Sequence, residues 1–223
     1  IRDAVNRTLA PCDVAVKLQT INFSSRPGIC DMNDTTASDL RCYFGFRSPY
    51  SRLGLHKLAR AGFTGELIPF ILSPESGFVD PLSNPKKRDY LVQDVYRMTV
   101  RQGLPLALPD PFDPDYAPSN AAFHAASAAG QGMAFALAVS DLRWGQGLDI
   151  SKPDVLAKAA MMAEWEGFDP DALPTGEALN AILDGYSEQA DADGVFGVPF
   201  LIDGADKYWG HDRFDLWLEA QAG

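Results

Sequence analysis

Cys42-Tyr43-Phe44-Gly45-Phe46-Arg47-Ser48-Pro49-Tyr50-Ser51 is the stretch whose reading decides the fold. Its first half is apolar and aromatic, so residues 40–46 are predicted to form a buried strand. Pro49 suits the first turn of a helix, where a missing N–H is no loss. Leu53, Leu55, Leu58 and Ala59 give that helix an apolar face that ends near Gly62.

Further along, residues 66–72 read as a second strand, which Pro69 confines to an edge or a bulge. Strand, helix, strand at this spacing is a βαβ unit, right-handed and parallel by default. Leu91, Val95 and Met98 then fall at i, i+4 and i+7 on a helix stopped by Gly103 and Pro105. Residues 105–118 are proline-rich and predicted as loop. Residues 121–142 are alanine-rich and predicted as one helix of small residues suited to close packing. Two more helices are predicted over 154–165 and 176–190, separated by Asp169-Pro170-Asp171. Strands at 200–203 and 207–209 around Gly204, and a helix from about 212 to 220, complete the chain. The order βαβ, four helices, ββα is similar to a thioredoxin-like α/β core with an all-helical domain inserted in its middle. The expected division is 39–75 with 191–223 as core, 76–190 as the insertion, and 1–38 as an N-terminal extension with no assigned role.

With 223 residues, the chain suffices for one large domain or a smaller one carrying an insertion. Hydrophobic and charged shares of 46% and 22% are those of an ordinary soluble protein. No run approaches the roughly 18 apolar residues of a membrane helix. A net charge of −11 argues against nucleic acid and anionic membranes as partners. It also means that an anionic substrate needs a local positive site. Cys12, Cys30 and Cys42 are odd in number and irregularly spaced, which disfavours a disulfide framework or a zinc site. His56, His124 and His211 show no metal-ligand spacing, and no metal is expected. The segment before residue 39 lacks a secretory signal, so its sequons at Asn6, Asn22 and Asn33 are read as chance and a cytoplasmic setting is expected.

Three places carry candidate chemistry. Ser48 sits one residue before Pro49 at a helix start. It reads equally as an N-cap, worth about 1 kcal/mol, and as an oriented hydroxyl where the helix end favours an anion such as a thiolate. Gly197-Val198-Pro199 is either plain loop-to-strand punctuation or a cis-proline whose preceding residue pairs with a bound peptide. In Trp209-Gly210-His211-Asp212-Arg213, Asp212 either complements a helix dipole or holds a cationic amine, and His211 is a capping residue or a ligand group. Redox members of the thioredoxin-like group carry Cys-x-x-Cys where this chain has Ser48 and Ser51. A hydroxyl cannot exchange disulfides but can donate a hydrogen bond to another molecule's thiolate, which disfavours a thiol-disulfide oxidoreductase.

From Cys42 onward the chain resembles the 2-hydroxychromene-2-carboxylate isomerase and kappa-class glutathione transferase family, a DsbA-like branch of the thioredoxin superfamily. The matching pieces are Phe44 to Ser51, the Lys87, Tyr90, Asp94 and Arg97 helix leading to Gly103-Leu104-Pro105, Val195 to Pro199, and Trp209 to Arg213. Together they span about residues 40 to 220. The resemblance implies a glutathione-dependent isomerase of aromatic catabolism in which Ser48 activates the glutathione sulfur. Val198 would bind the cysteinyl backbone beside a cis Pro199, His211 and Asp212 would take the γ-glutamyl end, and Asn120 is carried over as a further glutathione contact. It also implies a homodimer and a small electrophilic substrate. The alternatives are a kappa-like glutathione transferase sharing these residues and a non-redox binding module without glutathione affinity. Two positions depart from the family: Gly45 stands where many members have Asp. An Arg is missing after Asn120, where Ala125 and Ala126 stand with His124 nearby.

Overall fold

The continuous apolar run expected of a strand buried on both faces is what β1 (Leu40–Phe44) shows: Cys42, Tyr43 and Phe44 are all fully buried. A computed structural model describes residues 39–72 and 83–222. The extension and its sequons lie outside those residues. β1 pairs in parallel with β2 (Glu66–Pro69) and antiparallel with β3 (Phe200–Asp203), which pairs in turn with β4 (Asp206–Trp209). The sheet order is β2-β1-β3-β4, so Pro69 sits on an edge strand as its missing N–H requires.

The two faces of the sheet bury different clusters. Cys42, Phe44 and Leu201 pack with Leu55, Phe123, Phe135 and Leu142 from the helices. Tyr43, Phe200 and Ile202 face the other way, with Ile68, Ala190 and Val195. α1 (Pro49–Arg60) crosses between β1 and β2. Five α-helices follow β2: α2 (Pro85–Arg101), α3 (Ala117–Ala128), α4 (Gly132–Gln146), α5 (Pro153–Met162) and α6 (Gly176–Ala192). A short 3-10 turn at Pro170–Ala172 joins the last two. α7 (Phe214–Gln221) closes the chain.

The α/β order expected from the sequence is present, with corrections inside it. The single helix expected at 121–142 is two, because Gly130 takes φ 75° and Gln131 N–H bonds back to Ala126 O at 2.8 Å. The first of the two already begins at Ala117, inside the expected loop. α7 starts at Phe214, because Gly210 to Arg213 form a turn closed by Arg213 N–H to Gly210 O at 3.0 Å. β1 and β2 end at Phe44 and Pro69, short of the expected 46 and 72. Among the described residues, no helix is long and apolar enough to cross a membrane.

Candidate active site

Ser48 is the N-cap of α1, its backbone extended at φ −96° and ψ 116°. Its Oγ accepts from Ser51 N–H at 3.2 Å, one of the helix-start donors that lack an intrahelical partner. The same hydroxyl reaches Val198 O at a long 3.5 Å. The capping reading holds, and it leaves room for the ligand reading: the oxygen is fixed by the helix, while its hydrogen is only weakly engaged. Ser51 has a different job. It is fully buried, and its Oγ accepts from Gly45 N–H at 3.1 Å, closing the turn between β1 and α1.

The Val198–Pro199 peptide bond is cis, and Pro199 is buried. α1 comes close to it at Gly54, where a Cβ would lie 3.2 Å from Pro199 Cγ and 2.8 Å from Phe214 Cε2. Only a residue without a side chain lets the helix approach so near. Pro199 O accepts from Gly210 N–H at 2.9 Å, extending the β3–β4 hairpin by one pair. Gly210, at φ 97°, turns the chain there. His211 then stacks on Tyr50 of α1, with centroids 5.2 Å apart and planes at 22°.

Ser48, Val198, Pro199 and His211 are thus brought together where α1, β3 and β4 meet. His211 is 5% exposed, and its Nε2 is buried without a partner among the described residues. Burial, then the Lys57 ammonium, hold its imidazole below the ordinary value, with Asp212 opposing them. Lys57 Nζ donates to His211 O at 2.9 Å. Asp212 follows on the surface, paired with Arg213 at 2.8 Å. Asn120 is buried in the first turn of α3, with its N–H on Tyr116 O at 3.0 Å. Among the described residues, no hydrogen bond joins it to Ser48.

Several contacts around the site were not foreseen from sequence, although Tyr50, Asp94 and Arg97 belong to the pieces that carry the family resemblance. Tyr50 OH donates to Asp94 of α2 at 2.7 Å, and Arg97 pairs with that carboxylate at 3.2 Å, so α2 anchors the ring that His211 stacks on. Arg47 Nε contacts Asp113 at 3.1 Å, Tyr116 OH donates to Asp113 at 2.8 Å, and Arg143 Nη2 donates to Tyr116 OH at 2.8 Å. Arg52, also buried, bonds Asp141 at 2.6 Å and Pro105 O at 2.7 Å. His56 shares Asp141 at 2.9 Å. Burial alone would raise the Asp141 carboxyl, but the bonds from His56 and Arg52 hold it below its ordinary value. A charged residue among apolar neighbours, such as Arg143 between Leu142 and Trp144, was the available signal. Cys42 is no nucleophile: burial pushes its thiol far up, so it stays protonated.

Known proteins share the sequence family and the fold of this chain. The DsbA-like thioredoxin domain family matches residues 39–221. A 2-hydroxychromene-2-carboxylate isomerase of Pseudomonas putida is 31% identical over 193 residues, covering 81% of this chain and 92% of the relative. A protein of the same name from Sphingobium xenophagum is 30% identical over 188 residues, covering 78% and 93%. A solved structure of 2-hydroxychromene-2-carboxylate isomerase superposes with a TM-score of 0.69 at 24% identity, covering 82% of this chain and 94% of that one.

Proposed function

The chain belongs to the 2-hydroxychromene-2-carboxylate isomerase family of DsbA-like thioredoxin domains, and from that premise we propose that it is an isomerase dependent on glutathione. The observation that carries the reading is the Ser48 hydroxyl: fixed by Ser51 N–H, it stands 3.5 Å from the carbonyl that precedes the cis proline. The names of the relatives supply the reaction class. Serine at both Cys-x-x-Cys positions, with Cys42 sealed in the strand, turns the site from disulfide exchange toward activating a thiol held by a ligand.

Bound glutathione would supply a thiolate that adds reversibly to an unsaturated carbon, making a double bond free to rotate, and departs unchanged. The residues do the rest. The Ser48 hydrogen could turn from Val198 O toward a bound sulfur at little cost, because 3.5 Å is a weak bond. Its oxygen keeps the Ser51 N–H, which strengthens the O–H as a donor. The α1 N-terminus, whose first backbone donor is Tyr50 because Pro49 has none, adds a favourable potential for the anion. Val198 O, released from the hydroxyl, is free to accept the cysteinyl N–H. The orphaned His211 Nε2, with Asp212 at the surface, is suited to the γ-glutamyl end.

Calorimetry of glutathione with wild type and Ser48→Ala, with thiolate absorbance followed across pH, tests this. Wild type is expected to bind and to lower the thiol pKa, and Ser48→Ala to lose most of that depression. Absence of binding at about millimolar glutathione, weaker than any useful site, would overturn the reading. Accumulation of a stable conjugate in place of an isomer would make the enzyme a transferase built on the same residues.

A further inference from the structure

Tyr50, Gly54 and Lys57 fall at i, i+4 and i+7 on one face of α1, and all three meet the chain that runs from Pro199 to Asp215. Gly54 admits Pro199 and Phe214. Lys57 Nζ donates to His211 O at 2.9 Å and to Asp215 Oδ1 at 2.5 Å, which fixes the backbone of the turn before α7. The imidazole of His211 lies on the Tyr50 ring, centroids 5.2 Å apart and planes at 22°.

Tyr50 is held from its far end as well. Its OH donates to Asp94 Oδ2 at 2.7 Å, and the other oxygen of that carboxylate meets Arg97 at 3.2 Å and Tyr90 OH at 3.4 Å. Burial first, and then Asp94, push the phenol above its ordinary value, so the OH remains a donor at neutral pH. The Asp94 side chain is 17% exposed, and a charge-assisted bond so sheltered is stronger than one in open water. A stacked ring gives direction only if it cannot slide. His211 Nε2 has no partner among the described residues, so no bond at that atom aims the imidazole, and packing must. The ring it packs on is fixed at both ends: its Cα stands in the first turn of α1, just after Ser48-Pro49, and its oxygen is bound by α2. Tyr50 thus spans the two places proposed to hold a thiol peptide, the Ser48 hydroxyl and the His211 imidazole.

We infer that Tyr50, tethered by Asp94, is a positioning residue that sets the direction of the His211 imidazole relative to Ser48, and thereby selects a γ-glutamyl thiol over a thiol that lacks that end. The inference rests on the glutathione reading of the site and deepens it. Ser48 chooses the sulfur, and the Tyr50–His211 stack chooses what the sulfur is carried on. Ser48 keeps its own anchor, the Ser51 N–H at 3.2 Å, whatever side chain stands at position 50, so the two selections separate.

The test is calorimetry of glutathione and of N-acetylcysteinylglycine with wild type, Tyr50→Phe and Tyr50→Leu. The second peptide keeps the thiol, the cysteinyl amide and the glycine but lacks the γ-glutamyl ammonium and carboxylate. Wild type is expected to prefer glutathione by about tenfold or more, the range of one charge-assisted hydrogen bond. Tyr50→Leu removes the ring and is expected to bring that ratio close to one, through weaker glutathione binding with the truncated peptide unaffected. Tyr50→Phe keeps the ring but frees it from Asp94, and is expected to lower the ratio by about threefold. An unchanged ratio in Tyr50→Phe, both peptides weakening together as lost packing alone would cause, overturns the inference. That variant loses a single oxygen, so it decides the matter even where Tyr50→Leu fails to fold. A wild type that binds both peptides equally overturns the inference and leaves the sulfur site standing; one that binds neither overturns the glutathione reading and the inference with it.

Discussion

At Ser48 one oxygen caps a helix N-terminus and, on the proposed reading, also serves a ligand, and His211 would combine packing and binding in the same way. Its imidazole is packed flat on Tyr50, with Nε2 unpartnered. In the unfolded chain it takes a proton near the ordinary 6.5. In the folded protein burial and Lys57 resist that proton. Below about pH 6.5 the unfolded state therefore binds more protons, and stability falls as pH falls; above it this contribution is flat. Urea unfolding followed between roughly pH 5 and 8 should show a shallower acid-side loss in His211→Asn than in wild type. Equal slopes would mean that the imidazole titrates as freely folded as unfolded.

Elements position these residues by close approach, and α1 is the one that matters most. At Gly54 a Cβ would meet Phe214 at 2.8 Å and Pro199 at 3.2 Å. Gly54→Val is expected to cost about 1–3 kcal/mol by overpacking and to weaken glutathione binding, since it pushes Ser48's helix off the proline loop. Urea midpoints with calorimetry check both; unaltered binding would detach the site from this contact. Much of the element plan was legible. Ser48-Pro49 announced its helix, Pro69 a strand at an edge or bulge, and residues 200–203 a strand, whose place beside β1 only the structure shows. The break between α3 and α4 was hidden because alanine on both sides of Gly130 suits a helix equally well, and only packing decides where it bends. Arg143 was hidden for a related reason: a helix pattern shows which face is apolar, not which long cation is drawn beneath a loop from another part of the chain. Ser48, Val198 and His211 were each readable locally, but their convergence depends on the register of β3 with β1 and β4.

For the whole molecule, α2 is the weakly held element. Of its 17 residues only Thr99 is buried, while Val92, Tyr96 and Val100 make an exposed stripe at i, i+4 and i+8. The family resemblance implies a homodimer, and this stripe is the face suited to it. Sedimentation equilibrium is expected to give twice the 24.2 kDa of one chain, and Tyr96→Glu to return it to one. A monomeric wild type would remove the stripe from that role. Ser48 and its neighbour Val198 lie 150 positions apart in the chain. While the chain is being made, everything up to α6 can leave the ribosome with its hydroxyl in place and still have nothing to show a thiol. The strands that follow α6 complete the corner. On the proposed reading, a product cut short before β3 would be inert by construction.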